Sequence, residues 1–139
     1  MTHEVHKEVK ESGGLRVVIA NSATSITEEN KNDIVVDGSH CGANIADYVL
    51  KGGARGMIGN DAGIGLENAG VACLEILNKH GIPAAAVASM SAEIGVGLST
   101  YEDGVISVAN EIAKKMGVDV SMSAKEASEK MFEAIAKIS

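Results

Sequence analysis

The sequence is poor in aromatic residues, with one Phe, two Tyr and no Trp among 139 residues. So few aromatic rings argue against stacking platforms for single-stranded nucleic acid. The core must therefore consist mainly of aliphatic side chains and Met. No run of Lys or Arg is longer than the pair Lys114-Lys115, and the formal net charge is −7. An acidic chain without a basic stripe is not expected to bind nucleic acid or an anionic membrane surface.

Long apolar runs are absent as well. No stretch approaches the ~18 to 20 uncharged apolar residues that a membrane span requires, and the N-terminus "MTHEVHKEVKESGG" lacks the apolar region of a signal peptide. We therefore expect a cytoplasmic protein that does not contact a membrane. In a reducing cytoplasm its two cysteines, Cys41 and Cys73, are expected to be free thiols.

The chain has only one proline but sixteen glycines, and these cluster in short stretches between apolar segments. Glycines concentrated in this way indicate backbones that turn sharply or approach another group closely. Hydrophobic residues make up 45% of the chain, which excludes a disordered protein. The length fits one domain, residues 1–139, without an internal repeat or linker.

Apolar patterns predict strands that alternate with helices. The predicted strands are Leu15–Ala20, Asp33–Asp37, a segment centred on Met57-Ile58, and Ala84–Ser89 after Pro83. The predicted helices cover Cys41–Leu50, 66–81, 99–117 and 123–139. In the helix 66–81, Cys73 lies on the apolar stripe, and His80 with Gly81 is expected to end the helix.

This alternation predicts an α/β fold, a three-layer sandwich around a mostly parallel sheet of about four strands. The segment around the first strand can add one antiparallel edge strand. Residues 1–13 are predicted to form a polar tail or a short helix.

Three loops follow the predicted strands and combine glycines with polar side chains: "DGSHCGAN", "GNDAGIGLEN" and "SMSAEIGVGLST". The carboxyl ends of parallel strands meet at one edge of a sheet, where ligands of α/β proteins bind. Each loop leads into a predicted helix, whose first N–H groups are unpaired and carry positive partial charge. We therefore expect a small-molecule anionic ligand at this edge.

Three residues of these loops are the candidates for catalysis. Cys41 precedes a predicted helix and follows His40, and both influences lower the pKa of a thiol. Cys41 is thus a candidate nucleophile or acid–base thiol and His40 its proton acceptor. Asp61 can act as a base or orient His40. Alternatively, Cys41 is a buried core residue, His40 only caps the turn, and Asp61 serves turn chemistry.

Other polar and glycine positions of the same loops are candidates for substrate binding. These are Ser39, Gly42, Asn60, Gly63, Ser91 and Glu93.

Motifs for common cofactors are missing. "GIGLENAG" has Asn68 where the last glycine of G-x-G-x-x-G belongs, and there is no Walker loop or zinc-finger spacing. His3 and His6 are interpreted as part of a solvated tail rather than as metal ligands. We expect neither a metal site nor a bound cofactor.

The leading functional hypothesis is an enzyme that acts on a small polar carboxylate or carbonyl metabolite. Its chemistry would be acid–base or thiol-assisted, of hydrolase, isomerase or lyase type. The first alternative is a non-catalytic anion- or metabolite-binding or regulatory domain that uses the same loops. The second is a structural subunit whose Ala- and Gly-rich faces pack against copies of itself. In each case we expect a homo-oligomer.

Overall fold

The computed structural model describes residues 7–63 and 71–138. The described chain folds around one mixed sheet of six strands. The strands are β1 (Lys7–Ser12), β2 (Leu15–Ala20), β3 (Ile34–His40), β4 (Gly56–Asn60), β5 (Ala84–Val87) and β6 (Ile106–Ala109). Five α-helices occur in the described part: α1 (Ile45–Gly52), α2 (Ala72–Lys79), α3 (Gly97–Asp103), α4 (Glu111–Lys115) and α5 (Ala124–Ile138).

The order of the strands across the sheet follows the order along the chain. Strands β2 to β5 are parallel, whereas β1 and β6 are antiparallel to their neighbours at the two edges. The predicted α/β class and the mostly parallel sheet are confirmed. The expected number of strands is wrong, because the sheet has six strands and two antiparallel pairs.

Helices cover both faces of the sheet. Side chains of β3 alternate between two buried clusters, one that contains Val35 with residues of α1 and α2, and one that contains Ile34 with residues of α5. In a sheet with sequential parallel strands, right-handed crossovers place all connecting helices on one face. This accounts for α1 and α2 on the same side. The opposite face is covered by α3, which packs on β2 and β3, and by α5.

The N-terminal prediction is wrong for the part of it that the structure describes. Residues 7–12 form β1 instead of a tail or helix, and residues 1–6 lie outside the described residues. The turn to β2 consists of Gly13 and Gly14, both with positive φ, as two-residue hairpins require. Strand β1 was missed because it is almost wholly exposed and carries four charged residues, so it has no apolar pattern.

The predicted helix 99–117 is also wrong. The segment forms α3, then β6, then α4. The residues Val105 to Val108 are mostly β-branched, and they add an antiparallel strand to β5, with Ala88 N–H donating to Val105 O at 2.8 Å. Asn110 then caps α4 by accepting a hydrogen bond from Ala113 N–H at 2.9 Å.

Other predicted elements are confirmed with shifted ends. The last helix is present as α5, and Ser123 Oγ accepts from Glu126 N–H at 3.1 Å. Helix α2 ends at Lys79 with His80 as its C-cap, and Gly81 follows with a φ of 75°. Of the predicted helix 66–81, residues 64–70 lie outside the described part of the chain. None of the helices in the described ranges has the length and apolar composition needed to cross a bilayer.

The connection from β5 to β6, residues 88–105, runs back across the carboxyl ends of β2 and β3. Gly95 N–H donates to Gly38 O at 2.7 Å, and Gly97 N–H donates to Asn21 Oδ1 at 3.0 Å. A Cβ atom at Gly97 would collide with the carbonyl oxygen of Ala20. Only glycine therefore lets the start of α3 approach β2 so closely.

This approach generates a prediction about two glycines. Gly97→Ala is expected to lower the free energy of unfolding by about 3 kcal/mol, because the added methyl group meets backbone that cannot yield. Gly81→Ala has open space around the new Cβ but a φ of 75°, and it should cost only about 1 kcal/mol. Urea denaturation of both variants measures the difference. If both variants lost the same free energy of unfolding, the contact between α3 and β2 would have room for a methyl group, and the prediction would be wrong.

Candidate functional site

The candidate site is the edge of the sheet where β2 to β5 end. Three described segments lie there, residues 37–44 and 60–63, which include the last residues of β3 and β4, and residues 88–96, which follow β5. The first and third are joined by the hydrogen bond between Gly95 and Gly38. The second and third are joined by Ser89 N–H, which donates to Asp61 Oδ1 at 3.0 Å. The structure thus brings the predicted loops together as far as they are described; residues 64–68 of the second loop lie outside that range.

Strand β3 bulges as it reaches this edge. Val36 pairs with Ile58 and His40 pairs with Asn60, so two extra residues are accommodated on β3. Asp37 supports the bulge, because its Oδ1 accepts from Ser39 N–H at 2.9 Å. The strand therefore extends three residues beyond the predicted end, and α1 begins at Ile45 rather than at Cys41.

His40 lies exposed at the end of β3. Its Nδ1 accepts a hydrogen bond from Gly42 N–H at 3.0 Å. A backbone N–H can only donate, so Nδ1 is unprotonated and the neutral ring carries its proton on Nε2. Gly42 has no room for a Cβ, because the ring atom Cε1 of His40 would lie 2.8 Å from it. The local sequence thus fixes one tautomer of His40.

Cys41 is buried, and it lies beside a second buried cysteine, Cys73, to which its side chain is hydrogen-bonded. Their backbones also meet, with Cys73 N–H donating to Cys41 O at 2.9 Å. The hydrogen bond to Cys73 and burial raise the pKa of Cys41 well above its ordinary value, and the charges of Asp37 and Asp61 raise it further. The thiol is therefore protonated at neutral pH, which opposes the role of an activated nucleophile.

Asp61 is held by three hydrogen bonds and is 5% exposed. Its Oδ1 accepts from the N–H groups of Gly63 and Ser89, and its Oδ2 accepts from Ser107 Oγ at 2.6 Å. These bonds connect the ends of β4, β5 and β6. Among the described residues, no hydrogen bond joins Asp61 to His40. Ser107 is not among the predicted site residues, because the spacing in its segment predicts a helix.

Asn60 is fully buried at the end of β4, between His40 on β3 and Val87 on β5. Its Oδ1 accepts from Ala62 N–H at 2.8 Å. Its Nδ2 has no acceptor within the described ranges 7–63 and 71–138. Buried amide donors are almost always paired with protein, water or ligand, so this atom calls for a partner at the edge of the sheet.

The two predicted serines have structural bonds. Ser39 Oγ accepts from Ala23 N–H at 2.8 Å and fastens the segment after β2. Ser91 Oγ donates to Ala88 O at 2.7 Å and accepts from Val105 N–H at 3.0 Å. Both hydroxyls therefore stabilise the loops around the edge.

Glu93 and Gly63 are on the outside of the edge. Glu93 is exposed, and its N–H donates to Ser99 Oγ at 2.9 Å. Ser99 is inside α3, so its hydroxyl reaches back to the segment before that helix. Gly63 has a φ of 76°, which favours glycine and lets the chain turn back so that its N–H reaches Asp61.

A separate groove of about 500 Å³ lies between α2 and the segment β6–α4. The amide of Asn110 on its wall makes four hydrogen bonds, to Leu74 O, Ile82 O, Ala84 N–H and Ala113 N–H. This amide needs no further partner, unlike that of Asn60. None of the predicted site residues lines the groove, so the edge of the sheet is the better candidate.

The state of Cys41 predicts a pH dependence of stability. The folded protein holds the thiol proton to higher pH than the unfolded chain does, so this stabilisation is complete below the ordinary thiol pKa of about 8.5 and is lost above it. The free energy of unfolding should fall there by up to about 1.4 kcal/mol per pH unit.

Urea denaturation between pH 7 and 10 measures this dependence in the wild type and in Cys41→Ala, which should lack it. Tyr101→Phe serves as a control, because burial also raises the pKa of Tyr101. Parallel curves for the wild type and Cys41→Ala would contradict the assignment.

In the described part of the chain, no three His, Cys, Asp or Glu side chains are grouped so that they could hold a metal ion. Comparison with known proteins finds no match among family models, curated proteins or solved structures.

Proposed function

We propose that this chain binds a small polar metabolite at the carboxyl ends of β3 and β4. The observation that carries the proposal is the amide of Asn60, which is fully buried and whose Nδ2 lacks an acceptor among the described residues. An unsatisfied buried donor costs about 1–3 kcal/mol. An oxygen acceptor of a ligand would remove this cost.

A second donor lies next to Asn60. His40 is its partner across the two strands, and the Nε2–H of His40 is left for a ligand because Nδ1 is bound to Gly42. At the start of α1, no side chain caps the helix at Asn44. Donors therefore predominate at this edge, which supports a ligand that presents carbonyl or other oxygen acceptors.

Binding without catalysis fits the other two predicted residues. Cys41 is buried and protonated, and Asp61 already accepts three hydrogen bonds. A nucleophile or base must be exposed to the substrate and have a lone pair available, and neither residue meets both conditions. The non-catalytic binding domain is therefore the proposal that the geometry favours. The expected homo-oligomer and cytoplasmic location stay predictions.

The amide of Asn60 allows a direct test. Asn60→Asp keeps Oδ1 for Ala62 N–H but replaces the donor by an acceptor, so the variant should no longer be stabilised by ligand. It should also be less stable than the wild type, because it buries a carboxyl group next to Asp61. The measurement is the shift in melting temperature with a panel of small amides, ketones, sugars and carboxylates. Full retention of a shift seen in the wild type would contradict the proposal.

Asn78→Asp is the matched control. Asn78 also uses Oδ1 to accept a backbone N–H, that of Ile112 at 3.1 Å, but it lies at the end of α2 near the opposite edge of the sheet. Its ligand-induced shift should equal that of the wild type.

A second candidate function is acid–base catalysis on a carbonyl metabolite, as a hydrolase, isomerase or lyase. The observation in its favour is the imidazole of His40, which is exposed at the edge. Its protonated form can give a proton to a bound oxygen, and the neutral ring that results can take a proton back. In this candidate Cys41 and Asp61 position the loops, and His40 alone transfers protons.

His40→Gln separates the two functions. Glutamine can donate a hydrogen bond but cannot transfer a proton at neutral pH, so turnover of a metabolite should fall by at least about a hundredfold while binding is retained. His80→Gln, at the end of α2, is the control and should leave turnover unchanged. Turnover that survives in His40→Gln would eliminate His40 as the acid.

A further inference from the structure

We infer that the ligand of the β3–β4 edge is an uncharged carbonyl compound, such as a primary amide or a lactam, and not a carboxylate or phosphate. This inference rests on the proposed binding function and names its ligand class. It also departs from the anionic ligand that the helix N-termini had suggested.

The charges at this edge are of one sign. The described segments at the ends of β3, β4 and β5, residues 37–44, 60–63 and 88–96, contain no Lys or Arg. They do contain Asp37, which is fully buried, Asp61, which is 5% exposed, and the exposed Glu93. An anionic ligand at this edge would thus lie among carboxylates, and these segments offer it no cationic side chain.

The negative charges of Asp37 and Asp61 act on the thiol of Cys41, which is buried at the same edge. Cys41 Sγ lies against Gly59, where an added Cβ would be 2.7 Å from the sulfur. At that point both Asp37 and Asp61 oppose ionisation of the thiol and raise its pKa, in addition to the larger effects of Cys73 and burial. A negative charge on a ligand nearby would be opposed in the same way.

The size of this repulsion decides between ligand classes. Two like charges about 8 Å apart in an effective dielectric of about 20 change a binding constant by about thirtyfold. The positive end of a short helix such as α1 offers a smaller, screened attraction of less than about tenfold. Repulsion therefore outweighs the helix N-terminus, and a neutral acceptor is preferred.

The neutral form of His40 is the one that fits its hydrogen bond to Gly42. The imidazolium form cannot accept the hydrogen bond that Gly42 N–H donates at 3.0 Å. A cationic His40 would therefore lose the contact that orients its ring. The neutral ring keeps that bond and still offers Nε2–H, so both side-chain donors at the edge, His40 and Asn60, suit a carbonyl oxygen.

The test uses matched pairs of probes: benzamide and benzoate, nicotinamide and nicotinate, succinamide and succinate. Each is titrated at pH 7 into the full ¹⁵N-labelled chain, and the side-chain amide resonance of Asn60 is followed. That resonance is identified by its absence in Asn60→Asp. Within at least one pair, the amide should bind about tenfold or more tightly than the carboxylate.

The charge is then removed from Asp37. Asp37→Asn retains an oxygen for Ser39 N–H, and it should narrow the preference for the amide severalfold. If this variant does not fold, Glu93→Gln removes an exposed charge at the same edge and should narrow the preference by a smaller factor. Asp119→Asn, an exposed residue between α4 and α5, is the control and should leave the preference unchanged.

The outcomes separate the two proposals. Carboxylates that bind as tightly as their amides, with no effect of the variants at Asp37 and Glu93, would overturn the ligand class and leave the binding site in place. If no probe of either kind shifts the Asn60 resonance, the binding function is overturned and the ligand class with it.

Discussion

The close approach of the β5–β6 connection to the ends of β2 and β3 is the constraint on which the edge of the sheet depends. Gly95 N–H is bound to Gly38 O, and Gly97 lies so close to Ala20 that a side chain cannot fit. Sequential parallel strands place the crossover helices α1 and α2 on one face. The other face must be covered by later segments, and this connection, with α5, provides that cover.

The same arrangement explains which polar groups at the edge are available. The side chains of Asp61, Ser39 and Ser91 form hydrogen bonds that hold the loops. Cys41 is buried, with its sulfur packed against Gly59. The groups that remain available are two neutral donors on adjacent strands, His40 on β3 and Asn60 on β4, and the charged side chains around them are acidic. A site built in this way favours recognition of a neutral acceptor over nucleophilic chemistry, because Asp61 already accepts three hydrogen bonds and the thiol of Cys41 is buried.

The parts of the fold that could be predicted are those where local pattern and tertiary environment agree. Strands β2 to β5 and helix α5 have apolar residues at the required spacing, so burial and pattern coincide. Strand β1 has charged residues and owes its conformation to pairing with β2. The segment 99–117 has a spacing that fits a helix, but α3 ends before Gly104, and Ile106–Ala109 form a strand because β5 offers a free edge.

The sequence by itself determined the α/β class, the position of the loops and their lack of cationic residues, because these follow from composition and from periodicity along the chain. Only the tertiary structure decided how the residues of "DGSHCG" are used. It buries Cys41 beside Cys73, and it pairs His40 with Asn60, whose amide has no acceptor for Nδ2 in the described chain. The reason is that exposure, hydrogen-bond partners and electrostatic field depend on segments distant in sequence, which a local pattern does not record.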